Sequence, residues 1–137
     1  MLVRQEGDKN GDKKPMWFGS YGIGTSRLMG SWVEVSNDKK GIVWSKEISP
    51  FVVHLIELPG GKGQELYNKL QKAGVEVLWD DRELGAGEKL TDSDLIGIPV
   101  RVVTSKKTGE KFEFKKRDSE KTELVDLNTL IELVVKD

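Results

Sequence analysis

The sequence contains no cysteine. That excludes a disulfide framework, a thiol nucleophile and any Cys-ligated zinc site. It contains a single histidine, His54. A His-dependent triad would have to use that residue, and nothing in sequence marks a nucleophile beside it. No apolar run approaches the ~20 residues that a membrane helix needs. Met1-Leu2-Val3-Arg4-Gln5-Glu6 has no long apolar stretch after its basic residue, unlike a secretory signal. An excess of one charge is also missing: 22 Lys+Arg stand against 23 Asp+Glu, a net charge of −1. The broad positive field of a histone-like duplex binder is therefore absent. A protein that reads a few unstacked bases needs only a local patch and a few placed polar groups. A soluble, cytoplasmic chain with no membrane partner and no protein-bound metal is the expectation.

What is present suits one core. The chain has 137 residues, 36% hydrophobic and 33% charged, which fits a compact domain of roughly 100–150 residues with a short appendage. Gln5 to Lys14 is polar and glycine-containing, as at a hairpin tip. Pro15-Met16-Trp17-Phe18 is a short candidate strand. Thr25 or Ser26 is placed to cap a helix running towards Val35. Ser36 to Gly41 is a polar break, and a domain boundary is expected near Trp44–Glu47. Residues 51–58 then form a nearly continuous apolar run, as in a strand covered on both faces. Leu66, Leu70 and Ala73 share one helical face, and Gly74 stands at the C-terminal cap. Val75, Val77 and Trp79 read as a strand, Lys89 to Ile96 as a short helix, and Val100 to Val103 as a third strand. Phe112 and Phe114 alternate with Lys111, Glu113 and Lys115 in a half-exposed strand that can pair antiparallel. Asp126 is placed to cap a last helix with Leu127, Leu130, Ile131 and Val134 on its apolar face. Strand-helix-strand-helix-strand order implies parallel strands with right-handed crossovers.

Three groups of residues have chemical potential. Gly22-Ile23-Gly24 leads into a helix start at Ser26-Arg27, where backbone can approach a flat ligand and Arg27 can fork onto a phosphate; taken alone, so short a motif more often marks a plain glycine turn with a surface arginine. Asp80-Asp81-Arg82-Glu83 directly follows a strand, where ligands of open sheets sit. Its tight spacing favours an ion-paired loop over a catalytic pair. Lys89, Asp92, Asp94, Arg101, Lys106, Lys107, Lys115, Lys116 and Arg117 form a charge run. Most such runs are solvated faces, and the functional alternative is a local RNA-contacting rim. His54, inside an apolar strand, is expected to be structural. Trp17, Trp32, Trp44 and Trp79 are expected in the core or an interface. Left without a partner, Trp17, Phe18, Trp32 and Trp44 read as apolar surface that favours self-association of the chain.

Gly19-Ser20-Tyr21-Gly22-Ile23-Gly24-Thr25-Ser26-Arg27-Leu28 resembles motif 3 of the prolyl-tRNA synthetase family, class II enzymes. The likeness continues through Lys40-Gly41-Ile42-Val43-Trp44, Ile48-Ser49-Pro50-Phe51, Trp79-Asp80-Asp81-Arg82 and Asp94-Leu95-Ile96-Gly97-Ile98-Pro99. It implies an α/β fold: a mixed, mostly parallel sheet of about five strands flanked by helices, the class II synthetase anticodon-binding domain. Residues 47–137 would form that domain, and residues 1–46 would be a remnant of the catalytic domain. It implies a proline-tRNA ligase that joins proline and ATP, with Mg2+, into prolyl-adenylate and then prolyl-tRNA. The full-length enzyme would be a homodimer, and its anticodon-binding domain would need no cofactor. By resemblance, Gly22, Gly24 and Arg27 lie at ATP and Ser20 borders the proline pocket. Arg82, Lys89, Asp94, Arg101 and Lys106 are the implied contacts to the guanines of the proline tRNA anticodon. Motifs 1 and 2 are absent, so no complete catalytic set is present and this chain alone is expected to be inactive. Ser45 replaces the family's usual proline, and Glu83-Leu84-Gly85-Ala86-Gly87 departs from the common loop. Two other functions compete: a free-standing anticodon-binding-like accessory module, and a small nucleotide-binding regulator. The motif 3 strip argues against the first, because a dedicated module has no use for it.

Overall fold

The computed structural model describes residues 5–7, 9–15 and 19–136. The chain divides into two compact units, Met1–Ser31 and Trp32–Asp137. In the first unit, β1 (Gln5–Gly7) pairs antiparallel with β2 (Lys13–Pro15), as the polar tip implied. Gly11 supplies a left-handed backbone at φ 83° in the connecting turn, a conformation that costs glycine little. The strand expected to run on through Trp17 and Phe18 falls outside the described residues beyond Pro15. Helix α1 spans Thr25–Val35. The Gly24 carbonyl accepts the Leu28 amide at 2.9 Å, so the cap position falls on Gly24, just before the expected Thr25. The division between the units lies within this helix.

The second unit is built on a five-stranded sheet of order β6-β5-β7-β8-β9. Its strands are β5 (Val53–Glu57), β6 (Val77–Asp80), β7 (Val100–Thr104), β8 (Phe112–Lys116) and β9 (Thr122–Val125). β6, β5 and β7 are parallel, whereas β8 pairs antiparallel with both β7 and β9. All strands but β8 therefore point one way, the mixed, mostly parallel sheet expected. Helices α2 (Gly63–Lys72) and α3 (Ala86–Ile96) are the crossovers, and α4 (Leu127–Lys136) closes the unit. Gly74 and Gly97, both at φ 79°, end α2 and α3. Asp126 accepts the Thr129 amide at 2.9 Å and caps α4 as expected. Helix α3 begins a turn earlier than Lys89, because Ala86, Gly87 and Glu88 enter the helix and Gly85 stands at its N-cap. β9 was not anticipated. Three of its four residues are exposed, so its pattern lacks the buried alternation that marks a strand.

Period-2 alternation separates the two sheet faces. Val53, Leu55, Val77, Val100, Val102, Phe112, Phe114 and Val125 face Leu66 and Leu70 of α2 and Leu130 and Val134 of α4. This is the core, and each fully buried aliphatic side chain there contributes about 1.5–3 kcal/mol. Phe112 and Phe114 are buried on this face, as their alternation with charged residues implied. The opposite face carries His54, Ile56, Asp80, Arg101, Val103 and Lys115, and α3 lies against the β5 side. Lys115 was expected at the surface, but it is buried.

A second hairpin, β3 (Asn37–Asp38) with β4 (Gly41–Ile42), belongs to the same unit. It is clamped by Arg117, whose Nη1 and Nη2 donate to Asp38 at 2.8 and 2.7 Å. Trp32 and Trp44 are half-buried rather than bare: their indole N–H groups donate to Val43 O and Ile96 O. The backbones meet closely here. A Cβ on Gly97 would lie 1.8 Å from the Ile42 carbonyl oxygen. We therefore expect Gly97→Ala to destabilise the fold by about 2–4 kcal/mol, from left-handed strain and overlap together. A denaturant midpoint unchanged from wild type would contradict this contact.

Candidate nucleic-acid interface

The sheet order places the carboxyl ends of three parallel strands side by side. β6 ends at Asp80, β5 at Glu57 and β7 at Thr104. Ligands of open α/β sheets are met in the crevice outside such ends. The loop leaving β5 carries Pro59-Gly60-Gly61 and lies against the loop leaving β7, with the Lys106 amide donating to Pro59 O at 3.2 Å. A Cβ on Gly60 would stand 2.9 Å from Lys106 Cβ, and one on Gly61 would stand 2.7 Å from Thr104 O. These approaches need glycine and hold the exposed Lys106 beside the end of β5.

Arg82 leaves the end of β6 and returns to it. Its Nε donates to Asp80 Oδ1 at 2.9 Å and its Nη2 to Asp80 Oδ2 at 2.8 Å. Nη2 also donates to Asp92 Oδ2 of α3 at 2.8 Å. The loop after β6 is thus the ion-paired structure its spacing favoured. The Arg82 guanidinium, with burial opposing, holds the Asp80 carboxyl below its usual range, and the two carboxylates hold Arg82 protonated. The Arg82 side chain keeps 48% of its surface exposed, so it can meet a ligand while paired.

Lys89 is the correction. Expected as an RNA contact, it is 2% exposed. Its ammonium donates to Glu57 O at 2.7 Å and Asp80 O at 3.1 Å, and Asp80 Oδ1 stands 3.8 Å away. It therefore bolts the ends of β5 and β6 together beneath α3, where a phosphate cannot reach it. The signal was ambiguous: a lysine among charges in a helix reads as solvated until packing is known.

The remaining candidates occupy other places. Arg101 lies early in β7, three residues before the strand end and so about 10 Å back from it. It pairs with Asp94 of α3 at 3.1 Å, the two side chains being 12% and 23% exposed. Its buried Nε has no hydrogen-bond partner among the described residues. Arg117, read as part of a basic rim, is buried by the Asp38 clamp and donates from Nε to Asp94 O. Nothing in sequence links Asp38 to Arg117, because only folding brings them together. Lys106, Lys107 and Lys116 remain exposed. Trp79 stacks on Tyr67 at 5.5 Å and packs on the core, so it serves as a core side chain. In the first unit, Ser20, Gly22, Gly24 and Arg27 are all exposed, and Tyr21 and Ile23 between them are 97% and 82% exposed. The strand-end cluster is thus Arg82, Asp92 and Lys106, with Lys89 and Asp80 beneath.

His54 is structural, as its apolar strand implied. It is 1% exposed, and its Nδ1 has no partner among the described residues. Burial pushes its pKa below the ordinary 6.5, against the opposing pull of Asp80. Among the described residues, no group of three or more His, Asp or Glu could hold a metal ion, and no helix is long and apolar enough to cross a membrane.

Comparison with known families decides what this sheet is. Residues 53–137 match the family described as the anticodon binding domain. The chain belongs to the anticodon-binding domain family. Its curated relatives include a protein named proline–tRNA ligase from Leptospira interrogans serovar Lai, 45% identical over 122 residues, covering 82% of this chain and 21% of the relative. One of the same name from Persephonella marina is 43% identical over 131 residues, covering 90% and 23%. Another from Bacillus mycoides is 42% identical over 139 residues, covering 94% and 25%. The chain spans a fifth to a quarter of the length of these relatives. The strand-end cluster of Arg82, Asp92 and Lys106 therefore belongs to an anticodon-binding domain.

Two outcomes follow from the polar layer of this domain. Lys89→Met leaves two buried carbonyls without their donor and should cost about 2–4 kcal/mol of stability, read from urea unfolding; a loss under 0.5 kcal/mol would place Lys89 outside the fold's support. For His54, the folded pKa lies below the unfolded one, so the unfolded chain binds more protons between them. Stability is then present above pH 6.5 and falls as pH drops through 6.5 towards the folded pKa. Thermal unfolding between pH 7 and 5 should show this decline, and His54→Phe should flatten it.

Proposed function

We propose that this chain is the C-terminal portion of a proline-tRNA ligase and that its sheet domain binds the anticodon loop of proline tRNA. The observation that carries this is the anticodon-binding match over residues 53–137, inside alignments to relatives named proline–tRNA ligase that cover most of the chain. Residues 47–137 serve as the anticodon-binding domain, and residues 1–46 as the closing strip of a catalytic domain. In the full-length enzyme, proline, ATP with Mg2+ and a second subunit complete the reaction in the cytoplasm, while the anticodon-binding domain needs no cofactor.

Two parts of the molecule divide the work. Exposed Gly22, Gly24 and Arg27 face the nucleotide, with Arg27 stabilising phosphate charge as the adenylate forms, and Ser20 borders the proline pocket. Arg82 and Lys106 at the strand ends meet the anticodon. Asp94 and Arg101 are partly exposed, and to take a guanine's donors or acceptors they would first have to release each other. Lys89 supports the strand ends from below rather than touching RNA. The near-neutral charge is compatible with this role, because unstacked bases are read by a few placed groups rather than by a broad field.

The deciding measurement is binding of the proline anticodon stem-loop against one with its anticodon guanines replaced. Loss of one base contact of about 1.4 kcal/mol corresponds to tenfold, so the replaced loop should bind at least about tenfold more weakly. Equal affinities would remove the specific-reader function.

A further inference from the structure

On the basis of the anticodon-binding role proposed above, we propose that Asp92 is a positioning residue: it holds the Arg82 guanidinium in the orientation that meets an anticodon base, without touching the RNA itself.

The geometry begins with the inventory of Arg82. A guanidinium has five N–H donors in a rigid plane. The Nε donor and one Nη2 donor are taken by Asp80, and Nη2 also donates to Asp92. Among the described residues, Nη1 has no partner, and it is the edge left to offer a ligand. Asp80 alone gives a two-point attachment to a side chain that is itself buried. Asp92 adds a third point from a different element, α3, so the plane is fixed between a strand end and a helix. Lys89 and Asp92 are three residues apart and are neighbours on one helical face. The same face that bolts β5 to β6 therefore also aims Arg82. A long side chain loses rotamer freedom when it binds, and one already held loses less.

The sign of the effect separates this role from plain electrostatics. A carboxylate near a polyanion repels it, so removing Asp92 should strengthen RNA binding if charge were all that mattered. A positioning role predicts the reverse. Asp92 is 38% exposed on its side chain, on a helix where alanine is well tolerated, so Asp92→Ala should leave the fold intact.

The test uses the whole chain with two synthetic RNAs, the proline anticodon stem-loop and its guanine-replaced form. Asp92→Ala is expected to weaken binding of the first by about three- to tenfold, to leave the second nearly unchanged, and to shift thermal unfolding little. Asp92→Glu should restore most of the loss. In an Arg82→Ala background, Asp92→Ala should have no further effect, because its route is gone. In the RNA-free protein, the heteronuclear NOE of the Arg82 Nε–Hε pair should fall on Asp92→Ala. Tighter RNA binding by Asp92→Ala, or an equal further loss in the Arg82→Ala background, overturns the proposal. An unchanged NOE overturns it whether or not RNA binds. A wild-type chain that binds both loops equally or neither loop instead overturns the anticodon-reading function, and the RNA role of Asp92 with it.

Discussion

One buried ammonium organises the strand-end face of this molecule. Lys89 sits under α3 and donates to the last carbonyls of two adjacent parallel strands, Glu57 O and Asp80 O. Strand ends leave backbone oxygens with no ladder partner, and buried oxygens of that kind must be satisfied. The lysine meets that need and brings α3 onto the sheet. Asp80 balances the charge, and Arg82 balances Asp80. Burial of one cation thus fixes where the next, exposed cation stands.

The rest of the polar layer follows the same logic. Asp94 links Arg101 of β7 through its carboxylate and Arg117 through its carbonyl. Arg117 in turn grips Asp38 of the β3–β4 hairpin. The larger apolar core lies on the other face, between the sheet and α2 and α4, while Ile56 and Val103 are buried beside the charges. One side of the sheet supplies stability by burying hydrophobic area, and the other supplies orientation by pairing charges. Buried pairs contribute modestly to net stability but help specify geometry, although His54 Nδ1 and Arg101 Nε in this layer have no partner among the described residues. Under the proposed anticodon-reading role, geometry is what matters.

Much of the scaffold was legible in the order of residues. The apolar run at Val53–Glu57, the helical spacing of Leu66 and Leu70, the cap at Asp126 and the left-handed glycines at 74 and 97 are local signals with local causes. The ion pair of Asp80 with Arg82 was also legible, because its partners are two residues apart. Edge strand β9 was not, because its exposed residues show no buried alternation. The early start of α3 was hidden by Gly87, whose weak helix propensity is outweighed once Lys89 and Ser93 pack against the sheet.

By itself, the sequence determined the element types other than β9, the parallel-centred sheet, the family likeness and the absence of thiol chemistry, since periodicity, turn residues and composition act over short spans. Only tertiary structure decided which charges face water. Lys89, Lys115 and Arg117 look like Lys106 and Lys116 in a string of letters, yet the first three are buried and the last two exposed. The physical reason is that a long cationic side chain is at home in either place. Its fate depends on whether distant carbonyls and carboxylates converge on it, and that convergence exists only once the strands are side by side.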